Sequence, residues 1–276
     1  MKKLLFIATF ITTLLLSLTL TSCGNNEGKL YVGFSPDYAP YEFVDLTKQG
    51  DDKYVGADIE LAKYIADELG MELVLEPMGF SQTLISLQSG QIDLAISGFT
   101  WKAERAETFE MSNVYYDDGE GDQVVITLAS NATKYSSLEE VNKAGVVVGA
   151  QAGSIQYDLA TSQLPNATIE QHTNISDMVT YLNTGKLDCI AISQTAAESL
   201  ISTHSEIVIV NGKFEIEDSG LYVLAKKGNS ELMEKVNAVI EKVQTENLYA
   251  GWINAAQELF ESLGNNADQP NLDPEE

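Results

Sequence analysis

The sequence predicts an α/β fold of two lobes, each a mostly parallel sheet flanked by helices, with two hinge strands joining the lobes. Continuously apolar segments alternate with helical segments, a pattern typical of parallel strands that are covered on both faces. Residues 87–97 align without a gap on residues 182–192, so that helix, glycine stop, aspartate and buried strand recur about 95 positions later. A single match of this kind is also compatible with the order of helix, turn and strand that αβ units generally share.

The first lobe is predicted to begin with a strand at residues 30–34. A helix with one apolar face follows, with Asp58 as its candidate N-terminal cap and Gly70 at its stop position. The next predicted elements are a strand at residues 73–75, a helix at residues 81–89 that Gly90 ends, and a strand at residues 92–96.

Strand-like segments at residues 124–128 and 220–225 are placed to carry the chain from one lobe to the other and back. Residues 230–262 predict two helices, and the polar tail at residues 264–276 is expected to be disordered. The resulting division assigns residues 30–120 and 220–262 to lobe 1 and residues 121–219 to lobe 2.

The N-terminal segment has the features of a secretory signal. Two lysines precede an apolar stretch at residues 4–20, and small residues lead into Cys23. This pattern resembles the lipobox of bacterial lipoproteins, which implies that residues 1–22 are removed and that Cys23 carries acyl chains such as palmitate. We therefore expect residues 23–29 to form a tether on the extracytoplasmic face of the cell membrane. The alternative is an ordinary signal peptide with an incidental cysteine.

Composition argues against several classes of function. The formal net charge of -25 disfavours nucleic acid as a partner. His172 and His204 are the only histidines, and neither has a second histidine or cysteine at ligand spacing, so we expect neither a metal site nor a catalytic triad. Cys189 lies in an apolar run, which predicts a buried thiol rather than redox chemistry. We expect no cofactor and no catalytic residue.

The strand ends indicate where a ligand binds, because ligands of open parallel sheets lie beyond the carboxyl ends of the strands. Residues 97–98 and 192–193 occupy those ends here. Arg105 follows the first of them, and a guanidinium offers a planar, two-pronged match to a carboxylate. A solvated surface arginine is the alternative for this residue.

Three other residues suit the same carboxylate. Thr100 adds a hydroxyl, and the amide of Gly98 is approachable because no side chain blocks it. Ser154 stands at a predicted helix start in the second lobe, where its hydroxyl and amide can meet an anion. Together these residues predict a carboxylate site between the lobes.

Six motifs lie in register between about residue 30 and residue 260, at residues 32–43, 56–62, 97–105, 109–116, 148–154 and 225–229. Together they resemble the polar amino-acid binding proteins of bacterial ABC uptake systems. The resemblance implies the type 2 periplasmic-binding fold, whose two lobes close around an amino acid or a similar small ligand and then meet the permease subunits of the transporter. We expect the protein to act as a monomer.

The resemblance also implies roles for single residues. Gly98, Thr100, Arg105 and Ser154 match positions that hold the ligand carboxylate. Tyr38 and Phe80 match positions where aromatic rings sandwich the ligand side chain, with core packing as the alternative. Gln151 matches a second-lobe position that often faces the ligand.

Two positions depart from the family pattern. Ser35 and Ser193 stand where the family usually has acidic residues that hold the α-amino group. An ammonium buried without a carboxylate is costly, so either another acid serves or the ligand is not a standard α-amino acid. Asp37 and Glu42 are candidates for that acid, and Asp58 is near enough in sequence, with surface or capping roles as their alternatives.

These observations predict a transport receptor, and two other classes stay open. Secreted cyclohexadienyl and arogenate dehydratases also resemble this family; such an enzyme needs a general acid, for which Glu42 is the one cleft carboxylate that qualifies. The third class is a ligand-sensing module.

Overall fold

The computed structural model describes residues 28–117 and 122–264, together with the backbone of residues 267–268. The predicted signal and the predicted lipidation of Cys23 lie outside the described residues. Within the described part of the chain, no helix is both long enough and apolar enough to cross a membrane.

The described strands are short and mostly buried. They are β1 (Lys29–Phe34), β2 (Phe43–Asp45), β3 (Tyr54–Val55), β4 (Glu72–Pro77), β5 (Leu94–Ala95), β6 (Phe109–Tyr116), β7 (Gln123–Leu128), β8 (Val147–Gln151), β9 (Thr168–His172), β10 (Cys189–Ser193), β11 (Ile207–Ile209), β12 (Leu221–Lys226) and β13 (Ala267–Asp268).

Helices separate most of these strands. They are α1 (Ala57–Leu69), α2 (Phe80–Ser89), α3 (Ala103–Thr108), α4 (Leu138–Val141), α5 (Ile155–Gln163), α6 (Ile175–Asn183), α7 (Gln194–Thr203), α8 (Ser230–Thr245) and α9 (Leu248–Leu263). The two C-terminal helices confirm the prediction for residues 230–262.

Two five-stranded sheets form the two lobes, which confirms the predicted fold class. The first lobe has the strand order β4-β1-β5-β12-β6, with β1 parallel to β4 and β5 and with β12 antiparallel to both of its neighbours. The second lobe has the order β11-β7-β10-β8-β9, with β8 parallel to β9 and β10 and with β7 antiparallel to β10 and β11. The carboxyl ends of β1 and β5 therefore lie at one edge, as do those of β8 and β10.

The chain crosses between lobes at a different place from the one predicted. Strand β7 lies wholly in the second sheet and β12 wholly in the first, so one crossing falls between β6 and β7 and the other falls after Glu215, which still bonds to Gln163 of the second lobe. Both strands are buried and have neighbours on each side, because continuously apolar residues favour an interior position in a sheet. Their apolar character therefore reports a core position rather than a crossing.

The predicted C-terminal ends of α1 and α2 are confirmed, whereas their N-terminal ends differ from the predictions. Gly70 and Gly90 end α1 and α2 in the left-handed conformation, as predicted, with φ values of 66° and 81°. Asp58, however, does not cap α1; it is the second residue of that helix, which starts after Gly56 with no side-chain cap. Likewise α2 starts at Phe80, one residue before the predicted position, with no side-chain cap.

The C-terminal tail is ordered at two positions. Ala267 and Asp268 pair with Asp45 and Val44 of β2, whose other edge pairs with β3. The predicted disorder of residues 264–276 therefore does not hold at these two residues, because a sheet edge supplies partners for their backbone groups. The other residues after Gly264 lie outside the described part of the chain.

Candidate ligand-binding site

The strand ends of both lobes converge on one cleft. Ser35 follows β1, Ser97 follows β5, and Gln151 and Ser193 are the last residues of β8 and β10. All four residues are buried. Their side chains belong to a hydrogen-bond network that crosses from one lobe to the other, as the contacts of Tyr38, Asp37 and Arg105 show.

Arg105 is a buried cation that spans the cleft. It is the only arginine in the sequence and is 4% exposed. Its guanidinium donates to the carbonyl oxygen of Thr100 in the same lobe and, at 3.2 Å, to that of Gly153 in the other. No ion pair of the described residues includes it, and burial lowers its pKa to about 10. Since the group stays charged at neutral pH, the cleft holds a buried positive charge that no carboxylate of the described residues contacts directly; Asp158, which raises its pKa from a distance, is paired with Lys102.

Gly98 and Ser154 are more fully engaged than predicted. The Gly98 N–H donates to the Asp58 carboxylate at 2.7 Å, so this amide is not left open for a ligand carboxylate. Ser154 caps α5: its hydroxyl accepts from Tyr157 N–H at 3.2 Å and its own N–H donates to the Gln151 carbonyl. The Ser154 hydroxyl still has a proton to donate, because a cap uses only its oxygen.

Tyr38 contacts both lobes. Its ring stacks on Tyr41 at 5.0 Å, and its hydroxyl donates to the Ser193 hydroxyl of the second lobe at 2.6 Å. The side chain of Ser193 also caps α7 by accepting from Ala196 N–H. The predicted clamp residue of the first lobe therefore already meets the predicted ligand-lining serine of the second.

Phe80 belongs to an aromatic cluster beside Arg105. It is buried and packs against Phe99 at 4.7 Å, and the Arg105 guanidinium lies 5.1 Å from the Phe99 ring. Such a cation–π contact stabilises a guanidinium without neutralising it. Phe99 is a site residue beyond those predicted, and its position between Gly98 and Thr100 was the available signal.

Asp37 is a buried carboxylate that holds the lobes together. It accepts hydrogen bonds from the Ser35 hydroxyl at 2.7 Å and, across the cleft, from Gln151 Nε2 at 3.0 Å and Ile175 N–H at 2.9 Å. Burial raises its pKa to about 6, and these donors oppose the rise. All three donors are neutral, so hydrogen bonds rather than an ion pair among the described residues stabilise the charge of Asp37.

Glu42 and Asp58 lie deeper in the first lobe. The Ser97 hydroxyl donates to Glu42 at 2.5 Å, and the hydroxyls of Tyr115 and Tyr249 donate to Asp58. Burial raises the pKa of both carboxyls, and the pKa of Glu42 is raised well above its ordinary value. Of the three candidate acids, Asp37 is the one whose carboxylate bonds to groups of both lobes.

A family model for bacterial extracellular solute-binding proteins, family 3, matches residues 30–255. This chain belongs to that family. A relative from Bacillus subtilis, named an arginine-binding extracellular protein, is 31% identical to this chain over 253 residues. The match covers 88% of this chain and 93% of the relative.

Solved structures and one enzyme are also similar to this solute-binding protein. An amino acid ABC transporter substrate-binding protein from Streptococcus pneumoniae, bound to L-arginine, has a TM-score of 0.77 at 36% identity, with 85% of this chain and 96% of that chain covered. Cyclohexadienyl dehydratase from Pseudomonas aeruginosa is 27% identical over 185 residues, or 67% of this chain and 66% of its own. Receptors and an enzyme therefore share this scaffold.

The solute-binding protein has further contacts across its cleft that sequence reasoning missed. Lys102 forms an ion pair with Asp158, and the Ser199 hydroxyl donates to Gln257 at 2.6 Å. Nothing in the local sequence pairs these residues, because each contact joins segments more than 50 positions apart.

Metal binding has no support from the described residues, which contain no group of three or more histidine, cysteine, aspartate or glutamate side chains that could hold an ion. Cys189 is fully buried, and burial raises the pKa of its thiol to about 12. It therefore stays protonated at neutral pH, as an inert core residue does.

Proposed function

We propose that this solute-binding protein is the receptor of an ABC importer and that it binds an L-amino acid between its two lobes. The observation that carries the proposal is the buried Arg105 guanidinium, which bonds to one carbonyl oxygen in each lobe and has no ion pair among the described residues. A ligand carboxylate would supply the missing anion and would stabilise the closed arrangement, because it would be matched from both lobes.

The proposed ligand pose uses the other charges of the cleft. Thr100 and Ser154 add hydroxyl donors beside Arg105. Asp37 pairs with the α-ammonium, because the positions where the family usually has acids are Ser35 and Ser193 in this chain. Tyr38 and Phe80 flank the ligand side chain, and Gln151 is a polar contact in the second lobe. L-Arginine is the first ligand to test, because the Bacillus relative is named for arginine and the Streptococcus structure holds it.

We further propose that Cys23 is lipidated after removal of residues 1–22, which would place the receptor on the extracytoplasmic face of the cell membrane. The sequence of that segment supports this, as it has a charged start, an apolar stretch and small residues before the cysteine. Residues 30–120 and 220–262 then form the lobe 1 unit and residues 121–219 the lobe 2 unit of a monomer that presents its closed form to the permease subunits.

Arg105→Ala tests the carboxylate assignment. We expect a loss of about 2 to 5 kcal/mol in binding free energy, because the substitution leaves the ligand carboxylate desolvated and unpaired. Isothermal titration calorimetry with L-arginine, then with other amino acids, measures it. Lys235→Ala removes an exposed cation from α8 and is the matched control. A wild-type dissociation constant in Arg105→Ala contradicts the assignment.

A dehydratase activity is the second candidate, because a cyclohexadienyl dehydratase covers two thirds of this chain. We expect no turnover when the purified protein is incubated with prephenate or arogenate and product formation is followed by ultraviolet absorbance. Glu42 is the general acid that such a reaction would require, so Glu42→Gln is the control. Product that forms with wild-type protein and disappears with Glu42→Gln would replace the receptor assignment with an enzymatic one.

A further inference from the structure

Two carboxyl groups lie side by side beneath the ligand face of the first lobe. Glu42 is 0% exposed and Asp58 is 1% exposed. The ion pairs of the described residues include neither of them. Two buried carboxylates without a cation repel each other strongly, so this arrangement requires a physical explanation.

Asp58 has the surroundings of a charged carboxylate. It accepts from Gly98 N–H at 2.7 Å, from the Tyr249 hydroxyl at 2.6 Å, and from the Tyr115 hydroxyl at 2.9 and 3.0 Å. It also lies in the first turn of α1, where the helix dipole favours negative charge. Several donors directed at one carboxylate stabilise its ionised form.

Glu42 has the surroundings of a protonated carboxyl. One of its oxygens accepts from the Ser97 hydroxyl, whereas Oε2 is buried and meets no donor among the described residues. The backbone brings Glu42 and Asp58 together, because the Asp58 N–H donates to the carbonyl oxygen of Tyr41, the residue before Glu42, at 2.8 Å. The groups that the two carboxyls bind, the Ser97 hydroxyl and the Gly98 N–H, are also neighbours in the chain. Two carboxyls can share a hydrogen bond only if one of them carries a proton. Burial and the nearby charges of Asp58 and Asp37 raise the pKa of Glu42 well above its ordinary value, which places that proton on Glu42.

The pair holds the segments that line the cleft. Asp58 fixes the Gly98 amide, and Glu42 fixes Ser97, whose hydroxyl oxygen also accepts from Ser35 N–H at 3.0 Å. The backbone of Glu42 exchanges hydrogen bonds of 2.8 and 3.0 Å with Tyr38. The carboxyl ends of β1 and β5 therefore depend on these two carboxyls, and the loop of Tyr38 is bonded to the backbone of the residue that carries one of them.

We propose that Glu42 and Asp58 share one proton, and that the protonated Glu42 is a positioning residue that sets the ligand face of the first lobe. The proposal rests on the proposed function for its effect on binding, whereas the shared proton belongs to the protein without ligand. Glu42 acts through Ser97 and the Tyr38 loop.

Other titratable groups face the pair and have to be separated from it. Asp37 lies near Glu42, and Tyr38, Tyr41, Tyr115 and Tyr249 surround the two carboxyls. Burial raises the pKa of Tyr38, Tyr115 and Tyr249, so these three hydroxyls stay neutral at neutral pH. Asp37, with a pKa of about 6, titrates in wild-type protein and in Glu42 variants alike, so a comparison between them reports on Glu42.

The first experiment needs no ligand. The folded protein holds a proton on Glu42 that the unfolded chain releases above the ordinary pKa of 4.5, so stability falls as pH rises from there towards the folded-state pKa. Urea unfolding of wild-type protein and Glu42→Gln is measured from about pH 5 to pH 8. We expect the unfolding constant of wild-type protein to increase relative to that of Glu42→Gln by up to about tenfold per pH unit, the value for one proton.

The second experiment measures binding of L-arginine at neutral pH. Glu42→Gln keeps a neutral group that can accept from Ser97 and donate to Asp58, so we expect an affinity within about twofold of wild type. Glu42→Ala removes both bonds, and we expect binding to weaken by about tenfold or more. Glu258→Gln changes an exposed glutamate on α9 and is the control for loss of a charge.

The outcomes separate the two proposals. A stability difference between wild type and Glu42→Gln that is flat with pH overturns the shared proton. If Glu42→Gln binds L-arginine as poorly as Glu42→Ala, a charged Glu42 is needed and the proposal is wrong. If Glu42→Ala binds L-arginine like wild type, Glu42 has no positioning role. If Glu42→Ala does not fold, the pH dependence of unfolding and the L-arginine affinity of Glu42→Gln still test the proposal. If wild-type protein binds no amino acid, the proposed function fails while the pH experiment still tests the proton.

Discussion

At the scale of single residues, Gly98 meets two constraints that other residue types do not satisfy together. Its φ of 58° lies in the left-handed region, and a Cβ added there would lie 2.9 Å from the Tyr38 ring. Its N–H is also the donor that reaches Asp58. The position therefore couples the backbone conformation of residue 98 to the Tyr38 ring and to the carboxyl of Asp58.

Gly98→Ala should separate strain from function. We expect a loss of about 1 kcal/mol in stability from the left-handed conformation and, because Tyr38 has to move, a weaker affinity for the ligand. Gly70→Ala is the matched control: its φ is 66° and its Cβ would meet no atom within 4 Å. The midpoint temperature of thermal unfolding should fall in both variants. The ligand affinity measured by calorimetry should fall only in Gly98→Ala. Equal affinity in the two variants would contradict this role for Gly98.

At the scale of elements, helix α6 of the second lobe depends on the first lobe for part of its N-terminal capping. The side chain of Asn174 makes no capping bond to this helix, whereas the Ile175 N–H donates to Asp37 across the cleft. An anion at this end also interacts favourably with the helix dipole. Closure of the lobes therefore satisfies a backbone group of α6 as well as enclosing a ligand.

Asp37→Ala should shift the protein towards the open arrangement even before ligand is added. The substitution removes the acceptor for Ile175 and for Gln151, two donors from the other lobe. We expect a larger radius of gyration in small-angle X-ray scattering of ligand-free protein. Asp177→Ala, which removes an acid of the same helix turn within the second lobe, is the control. If the radius of gyration of Asp37→Ala equals that of wild type, Asp37 does not hold the lobes together in the ligand-free protein.

At the scale of the whole molecule, local pattern and long-range packing contribute differently to what the sequence predicts. Strands, glycine stops and the helix start at Ser154 follow from neighbours within a few residues, so the fold class and the polar strand ends were predictable. Asp58 was expected to cap its own helix, yet its partners Tyr115 and Tyr249 lie 57 and 191 positions away. The role of Asp37 depends in the same way on Ile175, 138 positions away. Such contacts arise from the packing of helices on sheets and of one lobe on the other, and no short pattern encodes them.

The pairing of Ala267 and Asp268 with β2 makes the C-terminal segment part of a sheet. Strand β2 starts at Phe43, the residue after Glu42, so a purification tag or fluorescent protein fused behind Glu276 that disrupts this pairing would disturb a strand that adjoins the ligand face. An affinity that depends on the tag would then report loss of this pairing rather than ligand chemistry. Cleavable C-terminal fusions, compared before and after cleavage, reveal such an artefact directly.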